Sequence, residues 1–141
     1  MTAELKHFSL AIVKSSILKH KAIDSQTVLE AIELEGRAAV NFLFKYLIKS
    51  EVVDLANPKS MKLLEYYYRL ERLLNISDEI WDSRSDKKAG IIKVDLGLAY
   101  YTNMGMQFMK ALASAWTCKP LLFSKHFFSF AHRAVLLELR A

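Results

Sequence analysis

The chain has 141 residues, of which 52% are hydrophobic and 25% are charged, and its 20 lysines and arginines exceed its 15 aspartates and glutamates. This composition excludes a disordered chain, because the apolar fraction exceeds the roughly 45–50% of ordinary globular domains. The single cysteine, Cys118, excludes an intrachain disulfide framework and a cysteine-rich metal site. We therefore expect one domain that spans residues 1–141.

Two helices are expected in the N-terminal third. Apolar residues recur every three to four positions through residues 3–21, which predicts a first helix with a broad buried face. Asp24 and Ser25 favour a helix start, with a competing capping box at Thr27 and Glu30, so a second helix is predicted over residues 24–49. Gly36 lies inside this helix, where glycine costs about 1 kcal/mol relative to alanine. It marks either a close approach to another helix or a local bend.

The third helix has the clearest start in the sequence. Asn57 is a favourable N-cap, and Pro58 suits the first helical position because a residue there needs no intrahelical partner for its N–H group. Apolar residues keep the helical period to Ile76. Residues 77–81 are then expected to form one short further turn, and the polar residues 82–90 an exposed loop.

The segment over residues 91–98 fits two kinds of structure. Ile92 and Val94 alternate with polar residues in the period of a half-buried strand, but helical spacing follows directly. Because a lone strand would have no partner, we predict a long fourth helix over residues 88–117. A fifth helix is predicted over residues 120–139. These elements predict an all-α fold, a single compact bundle of four to five helices.

Motifs for catalysis and cofactor binding are absent from the sequence. The four glycines form no phosphate-binding loop, and neither HExxH nor GxSxG occurs. His126 and His132 would point about 240° apart on one helix, so they cannot bind the same metal ion. Cys118 has no base nearby in the sequence, which favours a structural thiol. We therefore predict a protein that is not an enzyme and that binds neither a cofactor nor a metal.

Apolar residues in the C-terminal third exceed what one core contact needs. Those of the predicted fifth helix surround almost its whole circumference, which is typical of a helix that is central in a bundle or shared with another chain. The methionines around residue 106 offer an adaptable packing surface. The predicted partner-interface residues are Tyr66, Met106, Phe123, Phe127 and Phe130.

Three consecutive tyrosines, residues 66–68, cannot all face one core, because neighbouring helical residues point 100° apart. At least one is expected at the surface or at an interface. One interpretation is that Tyr66 stacks on a nucleic acid base while Arg69 or Arg72 contacts phosphate. The favoured interpretation is that a tyrosine packs between helices or between subunits.

Charge is distributed unevenly along the chain. The net charge is +3 over residues 1–23, −4 over residues 24–82 and +6 over residues 83–141. A basic surface of this kind suits the phosphates of a nucleic acid backbone. The candidate phosphate-binding residues are Arg84, Lys87, Lys88, Lys125 and Arg133.

Two functions are compatible with these observations. The leading hypothesis is a non-enzymatic helical-bundle interaction protein, which acts as a homo-oligomer or as a small subunit or adaptor of a larger assembly. The alternative is a bundle that binds nucleic acid through a basic surface. The longest uncharged segment has 14 residues, fewer than the roughly 20 of a membrane span, and no signal-peptide pattern is visible. We therefore expect a cytoplasmic or otherwise intracellular protein without a membrane span.

Overall fold

The computed structural model describes residues 3–49 and 54–126, and within these ranges it contains helices and irregular connections but no strand. The helices are α1 (Ala3–Lys21), α2 (Ser25–Lys49), α3 (Pro58–Lys88) and α4 (Leu98–Cys118). Residues 120–126 are also helical, and we call them α5. The predicted all-α bundle is therefore confirmed. The part of the predicted fifth helix beyond residue 126 lies outside the described residues.

The helices pack largely in chain order. α1 lies against α2, α2 against α3, and α3 against α4, whereas α2 and α4 barely touch. The main buried cluster contains Ala22, Val28, Leu29, Ile32, Tyr66, Leu73, Ile76, Ile92, Val94, Tyr100, Met104, Ala111, Ala115 and Phe123. This arrangement leaves an open crevice between α2 and α4, and it leaves the outer side of α4 exposed.

The sequence signals at two helix starts are confirmed. The Asp24 Oδ1 atom accepts a hydrogen bond from the Thr27 N–H group at 2.8 Å, next to the first residue of α2. The Asn57 Oδ1 atom accepts one from the Lys59 N–H group at 2.9 Å, and Pro58 is the first residue of α3. These bonds satisfy N–H groups that the helices themselves leave without a partner.

α3 is longer than predicted, and the expected turn at residues 77–81 and loop at residues 82–90 are wrong. The helix continues through nearly all of both segments, and Gly90 follows it with a φ of 73°. Glu79 and Ser83 continue the buried side of the helix; Glu79 accepts a hydrogen bond from the Tyr100 hydroxyl, and the Ser83 hydroxyl is hydrogen-bonded to that of Tyr101. Polar residues therefore did not mark a loop here, because distant parts of the chain supply their partners.

α4 is shorter than predicted, because residues 91–97 form an irregular connection instead of a helix. The period-two pattern still describes their exposure: Ile92 and Val94 are buried, while the residues on either side of them are exposed. The Lys87 ammonium group donates hydrogen bonds to two backbone carbonyl oxygens of this segment. The segment is thus held against the end of α3 without a strand partner.

Gly36 marks a close approach between α2 and α3, which was one of its two predicted roles. A Cβ atom at this position would lie 2.9 Å from the Asn75 Nδ2 atom and 3.1 Å from the Glu71 Cγ atom. These distances are shorter than ordinary van der Waals contacts, so the absence of a side chain lets the two helices meet here.

Candidate functional site

Two of the predicted interface residues belong to the core. Tyr66 is fully buried, and its Oη atom lies 3.0 Å from the Nδ1 atom of His126 on α5. Phe123 is also buried and packs against the Trp116 ring at a centroid distance of 5.7 Å. The expectation that these two side chains face a partner is therefore corrected. α5 turns back against α3 and α4, and this contact covers both of them.

The other two tyrosines of α3 also contact neighbouring helices. Tyr67 packs edge-on against Phe44 of α2 at a centroid distance of 5.8 Å, and the Tyr68 hydroxyl donates a hydrogen bond to the Asn41 Oδ1 atom. Because α2 and α5 both lie beside α3, tyrosines that point in different directions all reach another helix of the same chain. The predicted interface residues that lie outside the described part of the chain are Phe127 and Phe130.

Met106 lies on a continuous exposed row along α4. Met106, Met109 and Trp116 expose 52%, 60% and 50% of their surfaces. Three smaller exposed residues complete the row, which we call the α4 face; it consists of Ala99, Thr102, Met106, Met109, Ala113 and Trp116. None of the six is charged, and within the described residues no helix covers this face along its length.

The spacing of the α4 face is regular. Its residues follow one another at alternating intervals of three and four, which is the pattern of a helix that packs lengthwise against another helix. From Ala99 to Trp116 the row extends about 26 Å along the helix axis. The face can therefore accept a second helix over several turns.

Sequence reasoning named Met106 as an interface residue and included its neighbours Met104 and Met109 in the adaptable surface, but it did not name Trp116, and Met104 is buried. The helical period alone did not separate the buried side of α4 from the exposed side, because both sides are apolar. The spacing does not distinguish them, because the buried residues Tyr100, Met104, Ala111 and Ala115 are also uncharged and recur at the same helical period.

The predicted phosphate-binding residues fall into two separate groups. Lys125 is exposed on α5 next to His126, and His126 contacts Tyr66. Tyr66 and Arg84 lie about 27 Å apart along α3, because each helical residue adds about 1.5 Å. The structure therefore does not join Lys125 to the group in the last turns of α3, which consists of Arg84, Lys87 and Lys88.

Two cations of the α3 group make contacts within the protein. Lys87 donates to the backbone of the segment before α4, and the Arg84 guanidinium lies 6.0 Å from the ring centroid of Tyr101. These contacts stabilise the junction between α3 and α4. Arg133 lies outside the described residues.

A buried ionic cluster, which the sequence did not reveal, joins α1, α3 and α4. The Lys19 Nζ atom lies 3.0 Å from the Glu79 Oε2 atom, and the Tyr100 hydroxyl donates to Glu79 Oε1 at 3.2 Å. Burial opposes the charge of Lys19, but the Glu79 carboxylate outweighs it and raises the pKa of Lys19 above its ordinary value. Burial, together with the Glu79 charge, also raises the pKa of Tyr100. The Glu79 carboxylate is thus the partner of both other groups, which indicates that the cluster stabilises the packing of the three helices.

No group of three His, Cys, Asp or Glu side chains in the described ranges could hold a metal ion. Among the same residues, no helix is both long enough and apolar enough to cross a membrane. In comparisons with protein families, curated proteins and solved structures, none matched this chain.

Proposed function

We propose that the protein works by association, as a non-enzymatic homodimer formed through the α4 face. The observation that carries this proposal is the row of six exposed, uncharged side chains at three-four spacing. Burying apolar surface is favourable by about 25 cal/mol per Å², and continuous exposed apolar surface is typical of interaction sites. Methionine adapts its shape to a facing surface, and tryptophan is enriched at interfaces.

The order of large and small residues favours a second copy as the partner. Two α4 helices that run antiparallel, with the two-fold axis between Met106 and Met109, place the largest residue of each row opposite the smallest. The facing pairs across the axis are Ala99 with Trp116, Thr102 with Ala113, and Met106 with Met109. A two-fold interface has to be self-complementary in this way.

The proposed interface is small. A single pair of helices buries less than the roughly 1,600 Å² of a standard interface, so we expect a reversible dimer with a dissociation constant in the micromolar range. Lys110 borders the face. In the antiparallel pair, Lys110 of one copy is level with Gly105 of the other copy, so the two lysine charges do not oppose each other directly.

Sedimentation velocity at increasing protein concentration tests the proposal. The wild-type chain should change from monomer to dimer, and Met109→Lys should remain monomeric because it places two charges at the centre of an apolar contact. Trp81→Lys is the matched control, since Trp81 is strongly exposed but lies on α3. A wild-type monomer up to about 100 μM, or equal loss of dimer in the control, would contradict the proposal.

Cysteine cross-linking tests the antiparallel arrangement. In a Cys118→Ser background, Thr102→Cys and Ala113→Cys should form an intersubunit disulfide only when the two variants are mixed, because these positions face each other across the axis. Parallel helices would cross-link each variant with itself. No cross-link in any sample would show that the α4 face does not join two copies.

The alternative function, nucleic acid binding, is tested in a separate binding measurement. We expect no such binding, because the candidate phosphate-binding residues within the described ranges lie in two separate groups. A fluorescently labelled duplex oligonucleotide should not bind the protein with a strongly salt-dependent affinity. Salt-dependent binding that Lys88→Glu weakens and Met109→Lys leaves unchanged would support the alternative function, nucleic acid binding through the basic surface.

A further inference from the structure

A cavity of about 490 Å³ lies in the crevice between α2 and α4, and residues of α2, α3 and α4 line it. This volume lies within the roughly 300–1,000 Å³ of small-molecule sites. Polar and apolar groups line it together. The lining residues are Ile32, Glu33, Gly36, Arg37, Asn41, Tyr68, Arg69, Arg72, Ala111 and Ser114.

Arginines are concentrated at this cavity. Arg37 from α2 and Arg69 and Arg72 from α3 all line it, and they are three of the six arginines in the chain. They are also all the arginines of residues 24–82, a segment whose net charge is −4. The segment thus brings its arginines together in one place although it is acidic as a whole. Guanidinium groups bind phosphate and carboxylate through paired hydrogen bonds, which lysine cannot match.

Arg69 and Arg72 are held in position by close partners, whereas Arg37 is mostly exposed. The Arg69 Nη1 atom donates to the carbonyl oxygen and the Oγ atom of Ser114, each at 3.2 Å, which fixes it across the cavity to α4. The Arg72 Nη2 atom lies 3.0 Å from one Glu33 carboxylate oxygen, and the Arg37 Nη2 atom lies 4.0 Å from the other. A negatively charged group therefore already sits between two of the arginines.

The cavity retains excess positive charge and unused donors. Its lining carries three guanidinium groups and one carboxylate, and Glu65 pairs with Arg69 from outside the lining. Each guanidinium has five N–H donors, more than the named contacts use. A carboxylate offers two coplanar oxygens, whereas a phosphate monoester offers three oxygens and about −1.5 to −2 charges at neutral pH. The phosphate is the better match for donors that come from two helices.

The remaining lining suits the organic part of such a ligand. Tyr68, Ile32 and Ala111 form an apolar wall, and the half-buried Tyr68 supplies most of its accessible surface, because Ile32 and Ala111 are only 2% and 4% exposed. The volume exceeds what a bare phosphate ion needs. We propose that this cavity binds a small organic phosphate monoester, with Arg37, Arg69 and Arg72 holding the phosphate and the apolar wall receiving the organic group.

Isothermal titration calorimetry at low ionic strength tests this assignment with phenyl phosphate as the probe. Phenyl phosphate should bind more tightly than inorganic phosphate, because only the former uses the apolar wall, and more tightly than benzoate, which has too few oxygens. Arg72→Met and Arg37→Met should each weaken phenyl phosphate binding about tenfold or more. Lys62→Met, which removes an exposed cation on the same helix as Arg72 but outside the cavity lining, should leave it unchanged.

Thermal melting shows whether each variant is folded. The Arg37 side chain is 72% exposed, so Arg37→Met keeps the test valid even if Arg72→Met does not fold. Three results would overturn the assignment: no binding of phenyl phosphate by the wild-type chain, equal weakening in Lys62→Met, or benzoate binding as tight as phenyl phosphate. The last result would identify a carboxylate site instead.

This site is independent of the proposed dimer. Ala111 lies on the buried side of α4, about 140° around the helix from Met106. Phenyl phosphate should therefore bind Met109→Lys as tightly as wild type. Loss of the dimer and loss of ligand binding are thus separate outcomes.

Discussion

The Lys19 ammonium group lies 3.0 Å from the Glu79 carboxylate, although the two residues belong to helices that meet chiefly through α2. The Glu79 side chain is 1% exposed and the Lys19 side chain is 22% exposed. A carboxylate at this depth is tolerated only while it is paired. The contact therefore ties α1 to the α3–α4 part of the core.

Lys19→Met should destabilise the protein by about 3–5 kcal/mol, because it leaves the Glu79 charge buried with only the Tyr100 hydroxyl as a partner. Glu79→Met should cost less, since the Lys19 ammonium group can still reach water. The double variant Lys19→Met/Glu79→Met should recover most of the loss. Urea unfolding of all four proteins gives the coupling energy of the pair.

The ion pair between Lys49 and Glu4 provides the control for this cycle. Its N–O distance is similar, 3.2 Å, but the Lys49 side chain is 67% exposed. Lys49→Met should change the free energy of unfolding by less than about 1 kcal/mol. Equal costs for Lys19→Met and Lys49→Met would show that burial does not determine the strength of the first pair.

The carboxyl group of Glu71 should make stability depend on pH in the acid range. Burial raises its pKa above the ordinary 4.5, against the opposing hydrogen bond from Asn75 and with support from the nearby charge of Glu35. A raised pKa means that the folded state binds the proton more tightly than the unfolded state. The stabilisation that protonated Glu71 contributes is fully present at pH values below the pKa of Glu71 in the unfolded state. It is lost as the pH rises through the pKa of Glu71 in the folded state.

Glu71→Gln should therefore be more stable than wild type at pH 7 and nearly equal to it near pH 4, since 4 lies just below the ordinary pKa of 4.5. Denaturant unfolding at the two pH values measures the difference. Glu30→Gln, at an exposed position of α2, is the control and should show little change. A Glu71→Gln variant that is less stable at pH 7 would contradict the burial argument.

The two helical glycines Gly36 and Gly105 should respond to alanine in opposite directions. At Gly36 the new Cβ atom would press on the Glu71 and Asn75 side chains, and overpacking of this kind costs about 1–3 kcal/mol, so Gly36→Ala should destabilise despite its gain in helix propensity. At Gly105 nothing lies within 4 Å of a new Cβ atom, so Gly105→Ala should stabilise by up to about 1 kcal/mol. Thermal denaturation of both variants shows the two signs, and a gain at both positions would mean that α2 and α3 are not in close contact.

The N-cap of α3 gives a local prediction. Asn57→Ala removes the acceptor for the Lys59 N–H group and should cost about 1 kcal/mol. Asn57→Asp keeps an acceptor in the same place and should retain most of the stability. If both variants lose equally in urea unfolding, the hydrogen bond at this helix start does not contribute to stability.

Much of the secondary structure was predictable because its causes are local. The helical period and the caps at Asp24 and Asn57 determine α1, α2 and the start of α3. Each of these signals depends only on residues that are close together in the sequence. Gly36 was recognised as a site of close approach or bending for the same reason, since the conformational cost of a helical glycine depends on that residue alone.

The sequence by itself thus determined the all-α class and the starts of the first three helices, which depend on neighbouring residues. Only the tertiary structure decided the length of α3, the burial of Tyr66 and the exposure of Met109. Glu79 can stay in a helix because Lys19 and Tyr100 satisfy it, and Tyr66 is covered because α5 folds back over it. The α4 face and the arginine cavity also arise from which helices meet and which do not. Contacts between distant segments leave no periodic trace in a single sequence, and this is why these features appeared only in the folded chain.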